Sequence, residues 1–177
     1  MPRYLRDTVR FIFRLFTEVR RAVHPEQPRR GELSHQLILA STSRYRAMLL
    51  QRLGLDFTAV APDVDERAVE LPPVELSQEL AKQKALAVFQ QYPNAVVIGS
   101  DQVPALDDLI LTKPETAERA VVQLEALSGR THRLITSVCI ASPAGVELHT
   151  DIHRLTLRPL TRNAIESYVQ RDQPLDC

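Results

Sequence analysis

The sequence predicts an α/β fold built on a mixed, twisted sheet flanked by helices. From Leu37 onward, short apolar runs typical of buried strands alternate with longer segments of helical periodicity. Two long strand-like runs near the end are joined by Ser-Pro-Ala-Gly at 142–145, a typical hairpin turn. Because crossover helices join parallel strands and a hairpin joins antiparallel ones, both kinds of pairing are expected.

Residues 1–35 have a character of their own and are assigned to a basic amphipathic helix followed by a linker. Eight arginines face only four acidic residues here, and two prolines and a glycine interrupt the segment at 25–31. Apolar residues recur at spacings of four and three, as on one stripe of a helix: Leu5, Val9, Ile12, Phe16, Val19 and Val23. Several interpretations stay open: weak contact of residues 3–23 with an anionic membrane surface, packing or homodimer formation, or no function.

The first half of the remaining chain, 36–177, predicts strand, helix and strand. Residues 37–40 are a short apolar strand. A hydroxyl-rich turn leads into a helix whose inward side chains include Ala47, Leu50 and Leu53. Residues 57–62 follow as a second strand, and the acidic loop after it is closed by prolines.

A strong helix and a β-branched strand come next. The helix covers 74–92, places Leu80, Lys84 and Ala87 on one side, and is ended by Pro93. Residues 95–100 predict a buried strand, with Gly99 and Ser100 allowing the chain to turn.

The last elements are a helix, the hairpin and a final helix. Pro114 is expected to open the helix that ends before Gly129. The two hairpin strands follow, and Thr161 is expected to cap the short helix at the end.

Composition excludes several classes of protein. Lys plus Arg and Asp plus Glu number 22 each, which disfavours nonspecific nucleic-acid binding. The two cysteines, Cys139 and Cys177, give neither metal-ligand spacing nor a disulfide framework, and Cys139 is expected in the core. No apolar run approaches the ~20 residues needed to cross a bilayer. A secretory signal is absent by pattern, so a cytoplasmic protein is expected.

The turn after the first strand is a candidate phosphate site. Ser41 and Ser43 bring hydroxyls and free backbone N–H groups to a helix N-terminus, and Arg46 lies one turn further on. Ordinary N-capping by a single hydroxyl is the structural alternative. Several hydroxyls together with arginines favour an anion site.

Carboxylates that could hold a hard cation follow the second and third strands. Asp63, Asp65 and Glu66 cluster in one loop, and Asp101 is expected at the carboxyl end of the strand that precedes it. Glu66 and Asp101 would suffice for a metal that also binds phosphates, if the fold brings them together. A solvated acidic loop and an ordinary turn aspartate are the alternatives.

Two lysines complete the candidate site. Lys84 falls within the strong helix, and Lys113 is held extended by the proline that follows it. Either alone is typical of a surface, but together with Arg46 they could neutralise a triphosphate in a closed cleft.

These pieces form an ordered set of motifs that resembles the Maf family of nucleoside triphosphate pyrophosphatases. The motifs are LILASTSxxR, APxVDE, LAxxKA, VIGSDQV followed by KP, and LSGxxH, and the resemblance covers roughly 36–177. Gln102 within GSDQV and the ending QPLDC are most similar to the branch that acts on 7-methyl-GTP.

The resemblance implies a Maf/ITPase-like fold and metal-dependent cleavage between the α- and β-phosphates, with Mg²⁺ or Mn²⁺ as cofactor and a nucleotide as the partner. It implies that Asp101 is the general base and a metal ligand, with Glu66 supporting the metal. The remaining site residues that it implies contact phosphate or base: Ser41, Ser43, Arg46, Lys84, Lys113, Tyr45 and Gln102. Tyr45 and Gln102 fall on the positions tied to base selection, where an aromatic ring could stack on a cationic purine.

The sequence departs from the family pattern at three places, and these departures leave several functional hypotheses open. Position 44 is Arg where the family usually has Pro, and the stretch before Lys113 lacks the usual glycine. The family continues beyond the cysteine that matches Cys177, so domain 36–177 is expected to be incomplete at its C-terminus. An active pyrophosphatase and a non-catalytic nucleotide-binding or regulatory protein therefore both remain open, beside a membrane-surface protein.

Overall fold

The computed structural model describes residues 35–52 and 54–175. The predicted N-terminal helix, the side chain of Leu53 and Cys177 lie outside this part of the chain. The elements follow the order β1 Leu37–Ala40, α1 Arg44–Gln51, β2 Thr58–Val60, a short 3-10 helix Glu66–Ala68, α2 Pro73–Phe89, β3 Val96–Leu106, β4 Leu109–Ile110, α3 Ala117–Leu127, β5 Thr131–Ser142, β6 Gly145–Thr156 and α4 Arg162–Asp172.

The strands form one mixed sheet, as predicted. Its order is β2-β1-β3-β5-β6, and β4 pairs with the far end of β3. The β1 strand runs parallel to both β2 and β3, whereas β5 is antiparallel to β3 and β6. The hairpin is confirmed, since Ser142 pairs with Gly145 across the predicted turn.

The third strand is nearly twice as long as predicted, and this corrects the expected position of Asp101. Gly99, Ser100 and Asp101 do not turn the chain; they lie in the middle of β3, and each pairs with a residue of β5. However, the parallel neighbour β1 ends at Ala40, which pairs with Gly99. Asp101 therefore lies just past the carboxyl end of β1, although its own strand continues.

Gly99 is required by helix packing. A Cβ at this position would lie closer than 3.0 Å to backbone atoms of Ala81 and Ala85 in α2. The helix thus rests directly on the β3 backbone, an approach that only a residue without a side chain allows. This contact sets the distance between α2 and the strand that carries Asp101.

Alternation along the strands gives the sheet two covered faces. Leu37, Leu39 and Ile98 pack with Leu50 of α1. Ile38 and Val97 pack with Val88 of α2 on the other face. Of the predicted inward residues of α2, Leu80 and Lys84 are buried and Ala87 is half-buried.

Cys139 is fully buried among Ala81, Ala85 and Ala141, which confirms its predicted place in the core. Burial raises the pKa of its thiol to about 11. The group is therefore an apolar core side chain at neutral pH.

The helices α3 and α4 pack against each other through Ala120, Ile165 and Val169. The prediction that Pro114 opens a helix is wrong: α3 begins at Ala117, and the Thr116 side chain caps it. Thr161 caps α4 as predicted. No helix in the described part of the chain is both long and apolar enough to cross a membrane.

We expect Gly99→Ala to lower the free energy of unfolding by about 1–3 kcal/mol, because the added methyl group overpacks the contact between α2 and β3. Urea unfolding monitored by circular dichroism measures the change. Ala144→Ser, at the exposed hairpin turn, is the control and should shift stability by less than about 0.5 kcal/mol. Equal stability of Gly99→Ala and the wild type would contradict the close packing.

Candidate functional site

The turn between β1 and α1 is organised by its own hydroxyl groups. The Ser43 side chain caps α1 by accepting a hydrogen bond from the backbone N–H of Arg46 at 3.4 Å. Ser41 Oγ accepts from the backbone N–H of Ser43 at 3.1 Å and from Arg46 Nη1 at 3.3 Å. The capping alternative is therefore true of Ser43. Ser41 is buried and can still donate its own hydroxyl proton to an anion.

A buried ion pair joins α2 to the centre of β3. Lys84 Nζ lies 2.6 Å from Asp101 Oδ1, and the two residues are only 4% and 7% exposed. The same ammonium lies 2.8 Å from Glu66 Oε1 on the short 3-10 helix, where the glutamate side chain is largely exposed. One cation therefore holds together two carboxylates from different segments.

Arg46 connects the hydroxyl turn to this ion pair. Its Nη2 lies 4.0 Å from Asp101 Oδ1, at the outer limit of an ion pair, and its side chain is partly exposed. The structure thus brings together residues from four segments of the chain: the turn after β1, the 3-10 helix before α2, α2 itself and β3. The predicted grouping of Ser41, Ser43, Arg46, Glu66, Lys84 and Asp101 is present.

A chain of buried and half-buried hydroxyl groups lies beside the ion pair. Ser77 Oγ lies 2.9 Å from Ser137 Oγ, 3.2 Å from the carbonyl oxygen of Ile135 and 3.4 Å from that of Asp101. Thr150 Oγ1 continues the chain at 3.0 Å from Ser137 Oγ and accepts from Gln78 Nε2. These contacts fix the first turns of α2 against three strands. The sequence analysis missed them, although Ser77 precedes Lys84 by two helical turns and so shares its face.

Three predicted residues do not contact this cluster. Gln102 faces the opposite side of the sheet from Asp101, because neighbouring strand residues alternate, and it donates to Thr136 Oγ1 at 2.8 Å. Tyr45 is 62% exposed, with the Arg44 guanidinium 4.8 Å above its ring. Lys113 is exposed between β4 and α3 and has no hydrogen bond or ion pair to any described residue.

Of the three acidic residues clustered in the loop after β2, one contacts the ion pair and two do not. Asp65 accepts from the backbone N–H of Arg67 at 3.1 Å and so caps the short 3-10 helix, while Asp63 is exposed. Only Glu66 of this loop reaches the ion pair. Within 35–52 and 54–175, no three His, Cys, Asp or Glu side chains gather as they would to hold a metal ion alone.

The donor set nevertheless suits one kind of metal. Glu66 and Asp101 supply hard carboxylate oxygens at one point, and Mg²⁺ or Mn²⁺ typically binds one or two carboxylates and completes its shell with water and phosphate oxygens. The residues therefore fit a divalent cation that arrives with a polyphosphate, and they do not form a closed protein cage.

Comparison with known proteins gives a consistent result. The family model described as Maf-like protein matches residues 36–177. A 7-methyl-GTP pyrophosphatase of Pseudomonas putida is 44% identical over 80% of this chain and 75% of its own length. A Xanthomonas axonopodis protein of the same name is 49% identical over the same shares. A dTTP/UTP pyrophosphatase of Aquifex aeolicus is 39% identical over 80% of this chain and 74% of its own.

A solved structure supports the fold at lower similarity. The Ham1 protein of Staphylococcus aureus superposes with a TM-score of 0.50 over 67% of this chain and 70% of its own, at 12% identity. At that identity the likeness concerns the arrangement of the sheet and helices alone. It agrees with the Maf/ITPase-like architecture expected from the motifs.

We expect Lys84→Met to destabilise the fold by about 3–5 kcal/mol, because it leaves the buried Asp101 carboxylate without its cation. Lys82→Met, the same change at an exposed position of α2, is the control and should cost less than about 0.5 kcal/mol. Removing both charges in Lys84→Met/Asp101→Leu should cost less than the sum of the two single changes, as measured by urea unfolding. Additive losses would mean that the two groups do not interact.

Proposed function

The chain belongs to the Maf-like protein family, and from this premise we propose that it hydrolyses 7-methyl-GTP, or a related modified nucleotide, to the monophosphate and pyrophosphate with the help of a divalent cation. Its enzyme class is that of the nucleoside triphosphate pyrophosphatases, which are hydrolases acting on acid anhydrides. The observation that carries the proposal is the buried Lys84–Asp101 pair beside the hydroxyl-rich N-terminus of α1.

Four features of the site support phosphate binding. The N-terminus of α1 presents backbone N–H groups and a positive dipole end, and Ser41 has a hydroxyl proton to donate. Arg46 offers a forked guanidinium whose hydrogen bond to Ser41 fixes its direction. Lys84 provides a second cation that is already dehydrated, so it would interact with phosphate more strongly than a surface lysine.

Charge balance in the cluster supports the need for a divalent cation. Lys84 and Arg46 carry two positive charges, and Asp101 and Glu66 carry two negative ones. A triphosphate would therefore meet a site with no net attraction from these four side chains. Bound at Glu66 and Asp101, Mg²⁺ or Mn²⁺ would neutralise phosphate charge and make a coordinated water more acidic. Lys113 is a further cation in this proposal, contributed by the exposed segment after β4.

Asp101 is the residue best placed to act on water. It is held by Lys84 from the helix side and lies in the middle of a long strand, so its carboxylate has a fixed direction. In the proposed step, Asp101 accepts the proton of a water whose oxygen bonds to the α-phosphorus. The bond from that phosphorus to the α–β bridging oxygen breaks, and pyrophosphate leaves with the electron pair.

Tyr45 supports the choice of a methylated base. It is exposed at the start of α1, two residues from the Ser43 cap, and its ring already receives the Arg44 guanidinium. A ring that attracts one cation can stack on another, and 7-methylguanine carries a positive charge. Gln102, on the opposite face of β3 from Asp101, would contribute hydrogen bonds from a second direction.

We expect Asp101→Asn to lower the rate of pyrophosphate release from 7-methyl-GTP by about 10²–10⁴-fold, because the amide cannot accept the proton. A coupled pyrophosphate assay, run beside an assay for inorganic phosphate, measures rate and product together. Asp172→Asn, an exposed carboxylate of α4 paired with Arg171, should keep the wild-type rate. A folded Asp101→Asn variant with the full rate, or a wild-type chain that releases phosphate instead, would refute the proposal.

The proposed stacking predicts a selective effect at Tyr45. We expect Tyr45→Ala to weaken kcat/KM for 7-methyl-GTP relative to GTP by about 2–5-fold, equivalent to roughly 0.5–1 kcal/mol for an exposed cation–π contact. Tyr45→Phe keeps the ring and should keep the preference. The ratio of the two kcat/KM values, measured with both nucleotides on each variant, decides the question, and an unchanged ratio in Tyr45→Ala would exclude stacking.

A further inference from the structure

The start of α2 is held to the sheet by polar contacts instead of a side-chain cap. Pro72 occupies the N-cap position, and among the described residues no side chain caps the helix there. One turn further on, Ser77 and Gln78 both make hydrogen bonds to side chains of the strands. The position of this end of α2 therefore depends on the contacts of two neighbouring helix residues.

Ser77 meets the sheet at the point where Asp101 of β3 pairs with Ser137 of β5. Its side chain is fully buried, so a hydroxyl without a partner would cost free energy there. Three oxygen atoms lie within reach of its one proton: Ser137 Oγ at 2.9 Å, the carbonyl oxygen of Ile135 at 3.2 Å and that of Asp101 at 3.4 Å. Ser77 thus contacts both strands at the position of the Asp101 backbone.

Ser137 continues the contact to the neighbouring strand. Its own hydroxyl, which is also fully buried, lies 3.0 Å from Thr150 Oγ1 on β6, and that oxygen accepts from Gln78 Nε2 at 3.0 Å. The hydrogen bonds begin and end on consecutive residues of α2 and form a closed ring through β5 and β6. Because sliding or lifting of the helix would break at least one of these bonds, the ring fixes the start of α2 in both directions.

The same helix therefore holds Asp101 at two places. Lys84 lies two helical turns after Ser77 on the same side of α2, and its Nζ lies 2.6 Å from Asp101 Oδ1. Lys84 fixes the end of the carboxylate, whereas Ser77 contacts the backbone that carries it. Both contacts matter for a reacting group, since a displacement of about 1 Å can lower a rate by roughly 10²-fold.

We propose that Ser77 is a positioning residue, which holds the Asp101 carboxylate in its direction through the backbone of β3. This inference rests on the proposed function, in which Asp101 accepts the proton of the attacking water. Ser77 is fully buried and lies outside the residues assigned above to phosphate, metal or base. Loss of its hydroxyl should therefore slow the chemical step and leave nucleotide binding intact.

Steady-state kinetics of pyrophosphate release from 7-methyl-GTP test this proposal. We expect Ser77→Ala to lower kcat by about 10-fold and to keep KM within about 2-fold, because a hydroxyl lost behind the carboxylate misplaces it only slightly. Ser137→Ala is the matched variant, since it removes the other hydroxyl of the 2.9 Å contact and leaves Ser77 its two carbonyl acceptors. Its kcat should fall by less than about 3-fold. An unchanged kcat in Ser77→Ala, or an equal loss in Ser137→Ala, overturns the proposal.

Val169→Ala separates positioning from a general loss of stability. Val169 is buried in the cluster that joins α3 to α4. Its truncation removes more buried volume than the loss of one hydroxyl, so it should lower the midpoint of thermal unfolding at least as much as Ser77→Ala. Its kcat, measured well below that midpoint, should equal that of the wild type. If kcat falls with stability in both variants alike, Ser77 has no positioning role.

Urea unfolding gives a readout that does not depend on turnover. If Ser77 holds Asp101 against Lys84, Lys84→Met should cost less stability in a Ser77→Ala background than in the wild type. Equal costs in the two backgrounds overturn the inference, whether or not the chain is active. A wild-type chain that releases no pyrophosphate refutes the proposed function instead, and this comparison then decides the role of Ser77 in the ion pair.

Discussion

The buried contact between Lys84 and Asp101 is the constraint on which the site depends. Burying an ammonium or a carboxylate alone costs desolvation free energy, and pairing the two offsets much of that cost. The helix α2 and the strand β3 must therefore stay at the distance that keeps Lys84 and Asp101 in contact. Gly99 permits that distance because it has no side chain. The hydrogen bond between Ser77 of α2 and Ser137 of β5 also holds the helix against the sheet. Elements far apart in sequence thereby act as one rigid support.

The mixed pairing of the sheet leaves space beside Asp101, where β1 ends and β3 continues. The four residues of β1 end where β3 is only at its fourth residue, and the chain then leaves the sheet to start α1. Asp101 consequently has the hydroxyl turn rather than a paired strand on its parallel side, while β5 continues to pair with it on the antiparallel side. On one side β3 extends past the end of its parallel neighbour β1, and on the other it is paired with β5 along its middle. A fixed carboxylate therefore lies next to the hydroxyl-rich turn.

The sequence predicted the elements whose signals are local. β-branched and apolar runs identified the strands, and periodicity identified the helices. The motifs brought Ser41, Arg46, Glu66, Lys84 and Asp101 into one hypothesis, and the structure places these side chains in one cluster. The length of β3 was missed because Gly-Ser-Asp is also typical of a turn; Gly99 is needed by a helix that arrives from elsewhere in the chain. Ser77 and Ser137 were missed for the same reason, since a hydroxyl reveals its partner only after folding.

The alternation of side chains along β3 has a consequence for how such a protein can diverge. The side chain of Asp101 contacts Lys84 on the α2 face of the sheet. The side chain of Gln102 lies on the opposite face and contacts Thr136. An exchange at 102 therefore alters the surroundings of Thr136 without entering the space between α2 and β3. Substitutions on one face of a single strand can in this way accumulate while the buried ion pair on its other face is retained.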